Sequence, residues 1–82
     1  MLGNIRRSNF VVYRDILDAA KENIHSWRLA YMANLNTITI KHFMNDLLRS
    51  GFIECNDGYC HTTKEGLIFM SKVNNILRLI ET

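Results

Sequence analysis

SWRLAYMANLNTITIKHFMNDLLRSGFIECNDGYCHTTKEG, residues 26–66 of an 82-residue chain, is the stretch whose reading decides the fold. Ser26 reads as the N-cap of a short helix over residues 27–33, with Leu29, Ala30 and Ala33 turned inward. The small alanines let a second helix approach closely. A tight turn at Asn34-Leu35-Asn36 follows, with Leu35 as the apolar plug inside it. The next helix runs from about residue 37 to 49 and stops at Ser50-Gly51. Ile40, Phe43, Met44, Leu47 and Leu48 recur at i, i+3, i+4, i+7 and i+8, a complete core-facing stripe. The opposite face carries Ile38, Thr39, His42, Asn45, Asp46 and Arg49, with Lys41 at its border. Phe52-Ile53-Glu54-Cys55, the turn letters Asn56-Asp57-Gly58, and Tyr59-Cys60-His61-Thr62 then read as one β-hairpin.

Working outward, a first helix is expected over residues 9–22. Ser8 is its N-cap, Phe10, Tyr13, Ile16, Leu17 and Ala20 form its inner face, and Asn23 its left-handed closing residue. Beyond the hairpin, Thr62 and Glu65 stand at capping-box spacing and open a helix that runs to about residue 81. At about 1.5 Å per residue that helix is about 28 Å long, long for so small a domain. Phe69, Met70, Val73, Ile76, Leu77 and Ile80 satisfy two overlapping heptad seams, wider than a small domain needs to cover. The surplus reads as a dimer interface; the alternative is that the first helix covers all of it. The expected fold is mainly α with a small hairpin. One domain spans residues 1–82: an N-terminal arm (1–8), a core of three helices and the hairpin (9–62), and a C-terminal dimerisation helix (63–82).

Composition bounds the function. With 48% hydrophobic and 22% charged residues the chain is an ordinary globular domain, not a disordered tail. A domain this small is marginal alone, so pairing would help it. No apolar run is long enough to span a membrane, and residues 1–9 lack a signal-peptide core, which points to the cytoplasm. The net charge of +2 permits a polyanionic partner without demanding one.

Three strings now define a resemblance. Ser26-Trp-Arg-Leu-Ala-Tyr-Met-Ala-Asn-Leu-Asn36, then Leu47-Leu48-x-x-Gly51-Phe52-Ile53, then Thr63-Lys64-Glu65-Gly66-x-x-Phe69 resemble the archaeal winged helix-turn-helix family of small DNA-binding proteins. The resemblance extends from the first helix through the last. It implies a winged helix and, as in many members, C-terminal helices paired as an antiparallel coiled coil. Its members include chromatin-associated proteins and regulators, some from archaeal viruses or plasmids. This sequence departs from the pattern in three places. Trp27 stands where a small polar residue usually starts the helix, and the last helix stops by Thr82, which makes any coiled coil short. The hairpin has no lysine or arginine but carries Glu54 and Asp57, a poor grip for phosphates.

Two helices and a hairpin in this order suit a helix laid in the DNA major groove. The helix over residues 37–50 offers Asn45 for an adenine edge, Thr39 and His42 for other bases, and Ile38 for a thymine methyl. Asn36 and Thr37, at its N-terminus, suit a phosphate, as do Arg28, Lys41 and Arg49. Asp46 on the same face would repel one. Arg6 and Arg7 read as a short basic arm or an ordinary solvated terminus. The expected partners are double-stranded DNA and a second copy of the chain, with the nucleoid as location. The expected role is transcription regulation; the alternatives are a weakly sequence-specific DNA coater and a protein-interaction module.

Cys55 and Cys60 leave a choice open. A two-residue Asp57-Gly58 loop puts them opposite each other in a non-hydrogen-bonded pair, where a disulfide fits. A three-residue bulged loop shifts the register and separates them. Zinc held by Cys55, Cys60, His61 and a remote histidine is a weaker reading, because the spacing matches no usual structural site. His25 reads as a loop residue. Asp15, Asp18 and Glu22 form a solvated helix face. No phosphate loop, nucleophile motif or paired-carboxylate arrangement is visible, so no enzyme, cofactor or small-molecule ligand is expected.

Overall fold

Helix starts in this small domain are capped locally, by Ser8, Asn36 and Thr63, while Thr62 and Thr63 tie helix ends to elements distant in sequence. The computed structural model describes residues 8–81, so Arg6, Arg7 and most of the expected N-terminal arm lie outside the described residues. The elements are α1 (Asn9–Ala19), β1 (Ile24–His25), α2 (Ser26–Met32), α3 (Thr37–Ser50), β2 (Ile53–Asn56), β3 (Tyr59–Thr62) and α4 (Lys64–Glu81). Three helices, a hairpin wing and a C-terminal helix make a winged helix, mainly α as expected.

Helix α1 starts where Ser8 predicts, its hydroxyl accepting from the Val11 amide at 3.3 Å. It ends three residues before Glu22. The last-turn carbonyls, which have no partner within a helix, are taken instead by β3: Thr62 Oγ1 donates to the Leu17 carbonyl at 2.6 Å and the Thr62 amide to Ala20 at 2.8 Å. Thr62 is therefore a buried clamp between strand and helix, not the N-cap of α4. Thr63 takes that role, one residue later. Its hydroxyl accepts from the Gly66 amide at 3.1 Å and donates to the Gly51 carbonyl at 2.6 Å. The expected Thr62/Glu65 capping box is thus displaced, and glycine at the new third position has no side chain to complete it.

Gly66 is required there. A Cβ at this position would stand 2.1 Å from the Phe52 carbonyl oxygen and 2.7 Å from Thr62 Cγ2. The absence of a side chain lets α4 seat directly against the base of the wing.

The sheet has three strands, in the order β1-β3-β2, all antiparallel. A hairpin alone is the expectation, and β1 is the addition: Ile24 pairs with Cys60 and His25 with Tyr59. A two-residue strand leaves no alternating pattern to detect. Its consequence for α2 is direct. The Ser26 amide donates to the Gly58 carbonyl in the wing turn at 2.7 Å, so Ser26 is the first helical residue and His25 the cap position. His25 belongs to the sheet, its ring 3.9 Å from that of Tyr59, and is not a loop residue.

The core gathers Val12, Ile16, Leu17, Ala20, Leu29, Ala30, Ala33, Ile40, Leu47, Ile53, Cys60 and Met70. Two expected core residues face outward instead: Phe10 and Leu48 are exposed, while Val12 takes the buried place on α1. Tyr13 joins the helices, its ring edge-on to Phe43 at 5.1 Å and to Phe69 at 6.2 Å, and Phe69 stacks on Phe52 at 4.7 Å. Leu35 packs against this core from the turn.

Candidate functional site

Helix α3 is positioned from both ends. Asn36, extended at φ −80°, accepts from the Thr39 amide through its side-chain oxygen at 2.7 Å. Asn34 turns the chain with φ +59°, a conformation that asparagine tolerates better than most residues. Gly51, at φ +77°, closes the helix, and the Phe52 amide returns to the Leu47 carbonyl at 3.0 Å. Ile40 and Leu47 are buried while Phe43 and Met44 are half-buried. That anchoring fixes what points away. At about 100° of rotation per residue, Ile38, His42, Asn45 and Arg49 line one outward stripe, with Lys41 beside it, and all five are exposed. Ile38 is 72% exposed at its tip.

Two of the expected contact residues, Asn36 and Thr39, and the expected repelling residue Asp46 stand differently. Asn36 commits its side-chain oxygen to the helix cap, which leaves its amide NH2 group for a ligand. Thr39 is half-buried on the flank that carries Asp46, away from the outward stripe. Asp46, half exposed, is not an isolated charge: both carboxylate oxygens accept hydrogen bonds. Tyr13 Oη donates to Asp46 Oδ2 at 2.6 Å, and Arg49 Nη2 to Asp46 Oδ1 at 3.2 Å. The tyrosine hydrogen bond, then the arginine, hold the Asp46 carboxyl below the usual aspartate range. The same hydrogen bond, with burial and the carboxylate charge, pushes the Tyr13 hydroxyl up. Arg49 is therefore paired with Asp46, and Lys41 has no ion pair among the described residues.

Beside the stripe lies a cleft of about 390 Å³ between α2 and α3, lined by Ser26, Trp27, Leu29, Ala30, Thr37, Ile40, Lys41, Met44 and Asn45. Arg28, next along α2, holds its guanidinium 6.0 Å from the Trp27 ring centre.

The wing carries no lysine or arginine. Asp57 and Gly58 form its two-residue turn, at φ +54° and +81°, and Asn56 pairs with Tyr59. Cys55 then faces Cys60 with a Cα separation of 4.0 Å, and the two are joined as a disulfide. The two-residue turn is thus the alternative that holds. With both thiols consumed, neither is a zinc ligand, and His61 pairs with Glu54 at 3.3 Å instead.

On α4, the six residues expected at a dimer interface divide. Met70 and Val73 are buried inside the subunit and Phe69 is stacked on Phe52. Ile76 and Ile80 are exposed and Leu77 is half-buried, with Leu79 exposed beside them, a residue the heptad reading missed. The 11-residue α1 does not cover the 18-residue α4, so the alternative in which the first helix hides the whole face fails. Among the described residues, no helix is long and apolar enough to cross a membrane.

The comparisons with known proteins agree with this geometry. The family model described as winged helix-turn-helix matches residues 6–81. An uncharacterized protein of Methanocaldococcus jannaschii is 29% identical over 80 residues, covering 96% of this chain and 38% of that protein, so the chain spans well under half of its relative. Among solved structures, the crystal structure of Sso10a-2, a DNA-binding protein from Sulfolobus solfataricus, superposes with a TM-score of 0.81 at 18% identity, covering 92% of this chain and 83% of the other.

Proposed function

Because the chain belongs to the winged helix-turn-helix family, we propose that it binds double-stranded DNA with the outward face of α3 in the major groove, as a dimeric transcription regulator. One observation carries the reading: a helix anchored in the core by Ile40 and Leu47 presents Ile38, Lys41, His42, Asn45 and Arg49 together to solvent. Asn45 has the donor and acceptor pair that an adenine edge requires, and Ile38 suits a thymine methyl. Lys41, Arg49 and Arg28 face phosphates, joined by the first-turn amides near Thr37. The wing, with Glu54 and Asp57, supports the module without gripping the backbone. The name of the Sulfolobus neighbour, a DNA-binding protein, supports the same reading.

In this proposal residues 9–62 form the reading core and 63–82 the dimerisation helix of one domain. Two copies pair through Ile76, Leu77 and Ile80, and no catalytic step or cofactor is assigned. The protein works in the cytoplasm with the nucleoid. Ile76→Glu with Ile80→Glu gives a monomer by sedimentation; an unchanged mass would remove α4 as the interface. Filter binding of duplex DNA tests the main claim, with a log-log salt slope of about −3 to −6 per dimer. No retention at low salt would end it.

A second reading, an architectural coater, draws on the short list of base-edge readers, chiefly Asn45 and His42. Footprinting separates the two: a regulator protects a defined site, a coater any duplex.

A further inference from the structure

Trp27 is 71% exposed, although a tryptophan ordinarily contributes most by being covered. It is the chain's only tryptophan and forms one wall of the α2–α3 cleft. The indole is the end of a row of rings: Trp27 stands 6.2 Å from His25 at a 31° tilt, and His25 stands 3.9 Å from Tyr59 at 33°. His25 is tied into the sheet through β1, so the row has a fixed root in the wing. The cleft floor is apolar, built from Leu29, Ala30, Ile40 and Met44, and its rim carries Ser26, Thr37, Lys41 and Asn45. An apolar cleft of this volume with a few convergent polar groups is the profile of a small-ligand site. A flat wall, an ammonium and a carboxamide specify a planar, hydrogen-bonding, anionic ligand.

We propose that this cleft binds an unpaired nucleotide of a nucleic-acid strand, its base stacked on Trp27 and its phosphate held by Lys41. Asn45 meets the edge of the base, and Arg28, 6.0 Å from the indole, serves the adjoining phosphate. Asp57 lies in the turn whose Gly58 carbonyl receives the Ser26 amide, which disfavours a phosphate on the wing side and leaves the Lys41 side for it. Stacking on an exposed ring accepts any base, because every base has a π-face. The activity is therefore sequence-tolerant single-strand binding, distinguished from duplex reading by Trp27 and the cleft floor, while Lys41, Asn45 and Arg28 serve both modes.

Trp27 fluorescence reports the contact without a label. A thymidine decanucleotide quenches it saturably. Anisotropy with a labelled decanucleotide then shows about a tenfold loss of affinity for Trp27→Ala and near-full retention for Trp27→Phe, while fully paired duplex binds both variants as it binds the parent. A duplex with one unpaired thymidine, compared with its fully paired counterpart, tells an extrahelical base from a free strand as the source; tighter binding of either unpaired substrate supports the site. Absence of quenching, or equal decanucleotide affinity for the parent and Trp27→Ala, overturns it. Decanucleotide binding without duplex binding would reject the duplex-reading function and leave this site standing; the reverse would do the opposite.

Discussion

The outward face of α3 and the wing are held by the same core, yet their side chains are held in opposite ways. In the wing the groups at its base and across its strands are engaged with one another. Cys55 is bonded to Cys60, His61 pairs with Glu54, the Gly58 carbonyl takes the Ser26 amide, and Thr62 and Thr63 clamp α1 and the Gly51 carbonyl. On α3 the backbone is as firmly fixed, but Lys41, His42 and Asn45 extend outward from it. A rigid base with uncommitted side chains is what recognition needs, since less ordering is left to be done on binding. A segment whose polar groups are already satisfied serves as scaffold.

Gly66→Ala strikes the scaffold hardest. The added Cβ meets the Phe52 carbonyl at the root of the wing, and a loss of about 3 kcal/mol is expected in urea unfolding. A loss below about 1 kcal/mol would mean that α4 shifts freely against the wing. Opening the disulfide by Cys55→Ser costs about 2 kcal/mol, toward the low end because the closed loop is short, with duplex affinity unchanged once the protein is folded. A fall in affinity at full folding would instead make the wing a binding element.

The complementary substitutions fall on α3. Asn45→Ala is expected to weaken duplex binding by about 1–2 kcal/mol and to relax preference at one base pair, with no change in urea midpoint. Lys41→Ala is expected to weaken all sequences alike and to reduce the salt slope by about 1. The smallest effect belongs to Tyr13→Phe, and it is read as pH dependence. Asp46 is depressed in the folded protein, so its contribution is present above the ordinary aspartate pKa and is lost as pH falls through the folded value. The raised Tyr13 hydroxyl contributes below the ordinary tyrosine pKa and is lost as pH rises through its folded value. Tyr13→Phe should flatten the acid limb and remove the alkaline one; an unaltered pH profile would show that the Tyr13–Asp46 bond does not form in solution.

Much of this contrast was legible in the chain. The α3 stripe, the Asn34-Leu35-Asn36 turn and Gly51 as the stop follow from local rules, since each depends on residues within a few positions. The Cys55–Cys60 register, by contrast, is open between two loop lengths in the sequence and is decided by the φ > 0 turn at Asp57-Gly58. Asp46 was misplaced because helical angle alone sets it near the outward face; its partner, Tyr13, is 33 residues away. Thr62 was misread for the same reason, its acceptor at Leu17 being 45 residues distant. The α2–α3 cleft escaped because neither helix contains it.

Periodicity, turn chemistry and capping residues by themselves determined the order of the helices and the hairpin, and which side of α3 faces the core. These are properties of backbone geometry over one or two turns. Only the tertiary structure decided that β1 completes the sheet, that Thr63 starts α4, that Gly66 is obligatory, and which part of the α4 apolar face is already used within the subunit. Each of those outcomes depends on a buried hydrogen bond or a steric contact between segments the chain must first bring together.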